Sequence, residues 1–229
     1  LTQNLLISMK KIGIESTLTI YCIGEDSYQF FSNNYPHNEV ILLDCKLIYL
    51  KNWIPYRSIQ NQDILGKQKW AELTSYKILC MNNELKKNND IVFIDGDIVF
   101  CRNPLFYLLK NIKNYDLLIQ NDNSSYLKRQ FCTGFFFMRS NKKTIDITNY
   151  NEITKDLNKF QNDQQFLRIF ENQLNVSYLP LDLFPNGMYW RTYQPNNPYL
   201  IHFNYDTSYD KVKRMKIYNK WYIDNKDNS

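Results

Sequence analysis

No apolar run in this chain approaches the roughly 20 residues needed to cross a bilayer, and the first residues lack the ordered parts of a secretion signal. The segment is therefore expected to be soluble, although it starts with Leu1 rather than Met, which leaves open upstream processing or trimming. The five cysteines, Cys22, Cys45, Cys80, Cys101 and Cys132, contain no close pair, and their number is odd. That excludes a disulfide framework and favours reduced, buried thiols, hence a reducing cytoplasmic compartment over a membrane-bounded lumen. Asn123-Ser124-Ser125 and Asn175-Val176-Ser177 satisfy the glycosylation triplet, but so short a pattern does not decide the compartment. A recognised nucleic-acid motif is also lacking: the basic residues are scattered, and a net charge of +5 is a small excess. Nucleic acid is thus not an expected partner, while a phosphorylated ligand is mildly favoured by the long-range field. No internal repeat or disordered linker divides the chain, so residues 1–223 are read as one domain and 224–229 as a polar tail that frays.

What the chain does have is apolar and aromatic material: 44% of the 229 residues are apolar, with 18 Tyr and 14 Phe, enough for a substantial core. The spacing of Leu5, Leu6, Met9 and Ile12 predicts a helix ended by Gly13. Leu18 to Ile23 and Val40 to Leu43 read as strands, and Gln68 to Leu85 as a helix with Trp70, Leu73 and Lys77 on one side. Ile91 to Ile94 is a short, wholly apolar run of the kind found in buried parallel strands. A helix follows from Leu105 to Leu109, strands at Tyr115 to Ile119 and Thr133 to Arg139, and a late helix at Gln164 to Phe170. Five Pro and Gly residues between Pro180 and Pro198 predict a long loop with brief structured pieces covering part of a cleft. The fold class is α/β, a mostly parallel central sheet flanked by helices.

Chemistry concentrates where the apolar strand ends. In Phe93-Ile94-Asp95-Gly96-Asp97, two carboxylates two residues apart share one face of an extended chain, and Gly96 permits a turn that refines their approach. Together they can hold one hard cation, Mg²⁺ or Mn²⁺. The bland alternative is a turn at Gly96 that the two acids merely keep wet, but active sites favour the ends of such strands in open α/β sheets. Lys77 stands where a hydrophobe is expected. Either its stem covers Trp70 and Leu73 with the ammonium in water, or it faces inward to a carboxylate or a phosphate, since an unpaired buried ammonium is too costly. His202, after the strand-like Tyr199-Leu200-Ile201, is either a packed histidine or a third ligand beside Asp95 and Asp97.

These features, with Asn103-Pro104, Thr133-Gly134-Phe135, Asp163-Gln164, Leu179 through Gly187 and Ile201-His202-Phe203-Asn204 in this order, resemble the nucleotide-diphospho-sugar transferases. The likeness is to the branch related to retaining α-galactosyl and α-xylosyl transferases with a GT-A fold, and it spans roughly Asn4 to Lys216. It implies a nucleotide-sugar donor, a UDP-sugar, held through Mn²⁺ or Mg²⁺. It also implies transfer of the sugar, with retention, to the hydroxyl of a glycan, protein or small-molecule acceptor. Asp95, Asp97 and His202 carry over as metal and donor contacts and Lys77 as a donor contact. Thr133 and Gly134 carry over as the border of the donor sugar, and Asp163 and Gln164 as the groups beside the reacting carbon. Cys132 departs from the pattern, standing where an asparagine commonly precedes Thr-Gly. Tyr205-Asp206 departs too, where Trp and a later Gly are more typical.

Two other readings stand beside it. Ile91 through Asp97 is also similar to the opening of haloacid-dehalogenase-like phosphohydrolases, with Asp95 attacking phosphorus and Asp97 as acid or base, although Ile98-Val99 lacks the threonine expected next. A carbohydrate-binding protein on the same fold is the non-enzymatic option, with Tyr189, Trp190 and Tyr193 against apolar sugar faces.

Overall fold

Alternation of apolar side chains along β-strands organises the molecule. The computed structural model describes residues 1–43, 64–149, 162–206 and 208–223, of which 64–72 and 208 are described by backbone path only. Trp70 and the tail 224–229 thus lie outside the described side chains. The elements in chain order are α1 (Thr2–Lys11), β1 (Thr19–Cys22), α2 (Glu25–Asn34), β2 (Glu39–Leu42), α3 (Ile64–Lys86), β3 (Ile91–Ile94), β4 (Ile98–Phe100) and α4 (Leu105–Asn111). They continue with β5 (Leu117–Asn121), β6 (Phe131–Met138), α5 (Lys142–Ile147), α6 (Asp163–Ile169), β7 (Val176–Leu179), α7 (Gly187–Tyr193), β8 (Leu200–His202) and α8 (Ser208–Ile217).

The central sheet has the order β3-β6-β5-β7. Its odd and even side chains go to opposite faces. Leu117, Ile119, Phe136 and Met138 pack with Ile78, Met81 and Leu85 of α3 and with Phe166 and Leu167 of α6. Leu118, Phe135 and Phe137 pack on the other side with Leu5 and Met9 of α1, Leu108 of α4, and Ile98 and Phe100 of β4. Both faces are covered, so β3, the start of β5 and the end of β6 read as continuous apolar runs.

The expectation of a mostly parallel sheet is corrected here. β1–β2 and β5–β7 are parallel, but β3–β6, β5–β6 and β4–β8 are antiparallel. A run buried on both faces records burial and not direction. The short 122–130 connection from β5 to β6 suits antiparallel neighbours, because a parallel pair needs a crossover of a dozen residues or more. Between Ile119 and Gln120 the β5–β6 register shifts, the partners moving from Phe136 to Cys132. Thr133 and Gly134 therefore sit in an irregular stretch of β6, where a bulge re-aims side chains.

Most elements fall where the sequence puts them. The expected loop from Pro180 to Pro198 contains α7, started by Asn186, whose side chain accepts from Tyr189 N. Among the described residues no helix is long and apolar enough to cross a membrane. Cys22, Cys80 and Cys132 are buried and Cys101 half-buried, all as free thiols.

Candidate active site

β3 delivers Asp95 to its carboxyl end, and the chain then turns: Ile98 N donates to Asp95 O at 3.2 Å. The two acids meet through this turn and not along an extended strand. Gly96 lies close against α1: a Cβ there would meet Thr2 Oγ1 at 2.5 Å, so the Thr2 side chain would have to turn away. β4 begins directly after Asp97 and pairs with β8 so that Ile98 faces His202. That ladder brings the imidazole to Asp97, with Nε2 3.1 Å from Oδ1. One ligand atom from each of Asp95, Asp97 and His202 lies within 4.8 Å of the others.

Two lysines line the acids. Lys77, on α3, reaches Asp95 at 2.8 Å and Asp163 Oδ2 at 3.5 Å, so its charge points inward, and the water-facing reading falls. Burial alone would lower the Lys77 ammonium, but Asp163 and Asp95 outweigh it and hold the group above its usual range. Lys211, from α8, lies 2.6 Å from Asp97 Oδ2. Burial pushes Asp95 up, with Asp97 adding to the push and Lys77 opposing it. For Asp97 burial also acts upward, but His202 and Lys211 outweigh it and keep the carboxyl below its usual range. His202 is the converse case: burial would lower it, and Asp97 raises it well above an ordinary imidazole.

Asp163 and Gln164 open α6, positioned by Asn162, whose side chain accepts from Gln165 N at 2.9 Å. Asp163 is buried, and its Oδ2 finds no hydrogen-bond partner among the described residues. Gln164 Nε2 donates to Asp122 Oδ2 at 3.3 Å, and Asn204 Nδ2 donates to Asp122 Oδ1 at 3.1 Å. Thr133 is buried in β6. At Gly134, Asp95 N donates to the carbonyl at 2.7 Å, and an added Cβ would collide with the His202 ring. Gly134 is thus a floor for the histidine. Of the residues singled out from sequence, Lys77, Asp95, Asp97, Asp163 and His202 converge, Gly134 supports them, and Gln164 stands on the adjoining wall.

Sequence reasoning missed Lys211, 114 residues from Asp97, because it sits in a basic run that reads as solvated surface. Asp122 and Gln120 were missed as well, and Asn204 was named only as part of a motif, without a role. The wall continues with Asn186, whose amide donates to Asn121 O at 2.8 Å, and with Gly187 N, which donates to Asn204 Oδ1 at 2.7 Å. Tyr126 and Tyr189 both donate to Asp182, at 2.8 and 2.5 Å. Of the aromatic residues that the carbohydrate-binding reading sets against a sugar, Trp190 is instead buried with Phe203 and Met215 and Tyr189 is buried too, whereas Tyr193 is exposed.

The donor set fits a divalent cation. Two carboxylates and an imidazole suit Mn²⁺ or Mg²⁺. The 3.1 Å between Asp97 Oδ1 and His202 Nε2 is close to the roughly 3 Å separating adjacent ligands of an octahedral ion with bonds of about 2.1 Å.

A UDP-galactose:fucoside alpha-3-galactosyltransferase of Dictyostelium discoideum is 25% identical over 97% of this chain, which spans 41% of that relative's length. The structure of the galactosyltransferase LgtC with donor and acceptor sugar analogues superposes with a TM-score of 0.57 at 9% identity, covering 96% of this chain and 90% of LgtC. Mouse xyloside xylosyltransferase 1 superposes at 0.54 and 12% identity, covering 89% and 91%. These place the fold in the GT-A class. The profile of the nucleotide-diphospho-sugar transferases matches residues 29–215, which sets aside the phosphohydrolase reading. This chain belongs to the nucleotide-diphospho-sugar transferase family, glycosyltransferases that draw on nucleotide-sugar donors.

Proposed function

We propose that this chain moves a hexosyl or pentosyl unit from a UDP-sugar to an acceptor hydroxyl with retention at the anomeric carbon, using Mn²⁺ or Mg²⁺ held by Asp95, Asp97 and His202. The observation that carries the reading is the convergence of those three side chains within 4.8 Å at the end of β3, between two lysines. When bound, the cation stabilises charge gathering on the departing diphosphate.

The chain's own residues supply the rest. Lys77 and Lys211, with a divalent cation, set four positive charges against the carboxylates of Asp95, Asp97 and Asp163. One positive charge is left over, which a diphosphate complements. Asp163, buried with its Oδ2 facing Lys77 and accepting no hydrogen bond among the described residues, lies beside the donor carbon and stabilises developing positive sugar character or positions a nucleophile. Gln164, tied to Asp122, borders the same carbon. Thr133 and Gly134 flank the donor sugar from β6. The 121–126 loop and α7 form the acceptor side, where Tyr193 and Tyr126 are exposed and offer faces for a glycan. The Dictyostelium relative, a UDP-galactose:fucoside alpha-3-galactosyltransferase, makes UDP-galactose the first donor to try.

The test is a screen of UDP-galactose, UDP-xylose, UDP-glucose and UDP-N-acetylglucosamine against small glycoside acceptors with Mn²⁺ or Mg²⁺, followed by product stereochemistry. Turnover should require the cation, and Asp163→Asn should lose most of it. An inverted product sinks retention, and full transfer by Asp163→Asn removes that residue from the chemistry.

A further inference from the structure

We propose that Gln120 is a positioning residue that fixes the hydrogen of His202 on Nδ1 and thereby aims the Nε2 lone pair at the cation side of Asp97. The proposal rests on the reading of Asp95, Asp97 and His202 as a cation site.

Gln120 is wholly buried on β5, at the register shift against β6, opposite Leu179. A buried carboxamide is expensive unless both of its ends are hydrogen-bonded. Here both are. Its Nε2 lies 3.0 Å from the carbonyl of Phe184 and its Oε1 lies 2.8 Å from His202 Nδ1. A backbone carbonyl only accepts, so the donor end of the amide must face Phe184, and the acceptor end must face the ring. An amide oxygen cannot donate, so Nδ1 carries the hydrogen. Cys132 Sγ, 3.5 Å from the same nitrogen, is a weaker partner and does not reverse that order.

The consequence is at the other nitrogen. Nε2 is 3.1 Å from Asp97 Oδ1, on the edge a cation must share with the carboxylates. A ring hydrogen fixed on Nδ1 leaves Nε2 as the ligand atom, and a second partner of this kind both orients a metal-binding histidine and strengthens it as a base. Gly134 completes the arrangement: a Cβ there would strike the ring, so the imidazole lies directly against the β6 backbone. Phe184 therefore sets Gln120, and Gln120 sets His202, a relay of two hydrogen bonds from the loop after β7 to the metal ligand.

The chain has two histidines, and His37 is exposed, so ¹⁵N NMR of the imidazoles gives two ring systems, assigned with a His37→Gln variant. The proton on His202 Nδ1, held by the Gln120 amide oxygen, should appear as a downfield, slowly exchanging resonance in the wild-type chain and be lost in Gln120→Met. Calorimetry with Mn²⁺ alone should show affinity lower by roughly 10–100-fold in Gln120→Met. Gln120→Glu, whose buried carboxylic acid can donate to Phe184 and accept from Nδ1, should retain that Nδ1 proton and serves if Gln120→Met does not fold. A wild-type chain with no such Nδ1 proton, or unchanged Mn²⁺ affinity in a folded Gln120→Met, overturns the proposal. A wild-type chain that takes up no Mn²⁺ refutes the metal reading instead. The Nδ1 proton needs no metal and then decides alone: its protection in the wild type and its loss in Gln120→Met support Gln120 as the orienting group, and any other pattern overturns it.

Discussion

Gly134→Ala tests the core of the site with a single methyl group. At Gly134 the added Cβ would lie 2.8 Å from His202 Nε2 and 3.0 Å from Nδ1, and closer still to the carbon between them. Ordinary contact begins near 3.4 Å, so the ring must shift by something on the order of 1 Å. It has nowhere cheap to go: His202 is buried, with Gln120 at 2.8 Å on one nitrogen and Asp97 at 3.1 Å on the other. Overpacking of this kind costs about 1–3 kcal/mol. At roughly 2–4 °C per kcal/mol for a chain of this size, Tm should fall by about 2–12 °C. Moving the ring also breaks the ligand geometry, so Mn²⁺ affinity should drop by roughly 10–100-fold. Thermal scanning calorimetry and Mn²⁺ titration measure the two effects, with Gly13→Ala as the control. Gly13 sits at φ 73° with nothing within 4 Å of a new Cβ, so that change should cost about 1 kcal/mol of backbone strain and leave Mn²⁺ affinity intact. Wild-type Tm and wild-type Mn²⁺ affinity in Gly134→Ala would refute the packing argument.

Two further outcomes follow from charges. Lys211→Ala removes the partner 2.6 Å from Asp97; UDP affinity, measured by calorimetry with Mn²⁺ present, should weaken by roughly 10–100-fold, the value of a charged hydrogen bond, and unchanged affinity would remove Lys211 from the diphosphate site. Asp116 lies away from the site, where burial would raise its carboxyl but the Asn175 N–H, Lys143 and Asn141 outweigh it and hold it low. A depressed folded value means that its stabilisation is complete above the unfolded value near 3.9 and is lost as pH falls through the folded one. Asp116→Asn should therefore cost about 2 kcal/mol in urea unfolding at neutral pH, discounted for the exposure of Lys143, and the gap to wild type should close in acid. A constant gap from pH 7 to pH 2 would contradict the assignment.

The local signals in the sequence were strong where one residue type has one use. An apolar strand ending in Asp95-Gly96-Asp97, a lysine on the apolar side of α3, and a histidine closing a short strand all land in the site. Strand direction was not legible, because Phe135 and Phe137 serve one face of β6 and Phe136 and Met138 the other, and a pattern apolar on both faces reads the same in either direction. The helix α2 contains no buried residue, so no periodic stripe announced it. Trp190 looked like a sugar platform because an aromatic residue in a proline-rich stretch carries no mark of its depth. Lys211 and Gln120 are beyond local reading altogether: their partners are 114 and 82 residues away, and only the paired strands bring them together.

That long-range closure bears on the order in which the molecule acquires its site. Asp95 and Asp97 are laid down on β3 and the turn after it, but His202 arrives only when β8 pairs with β4, and Lys211 only when α8 settles against Asp97. Closing so long a loop comes late in folding, after the local contacts have formed. Until then a growing chain holds two neighbouring carboxylates with Lys77 as their counter-charge, on Asp95. During synthesis the Asp97–His202–Lys211 cluster is therefore a timer: it cannot exist until β8 and α8 have left the ribosome.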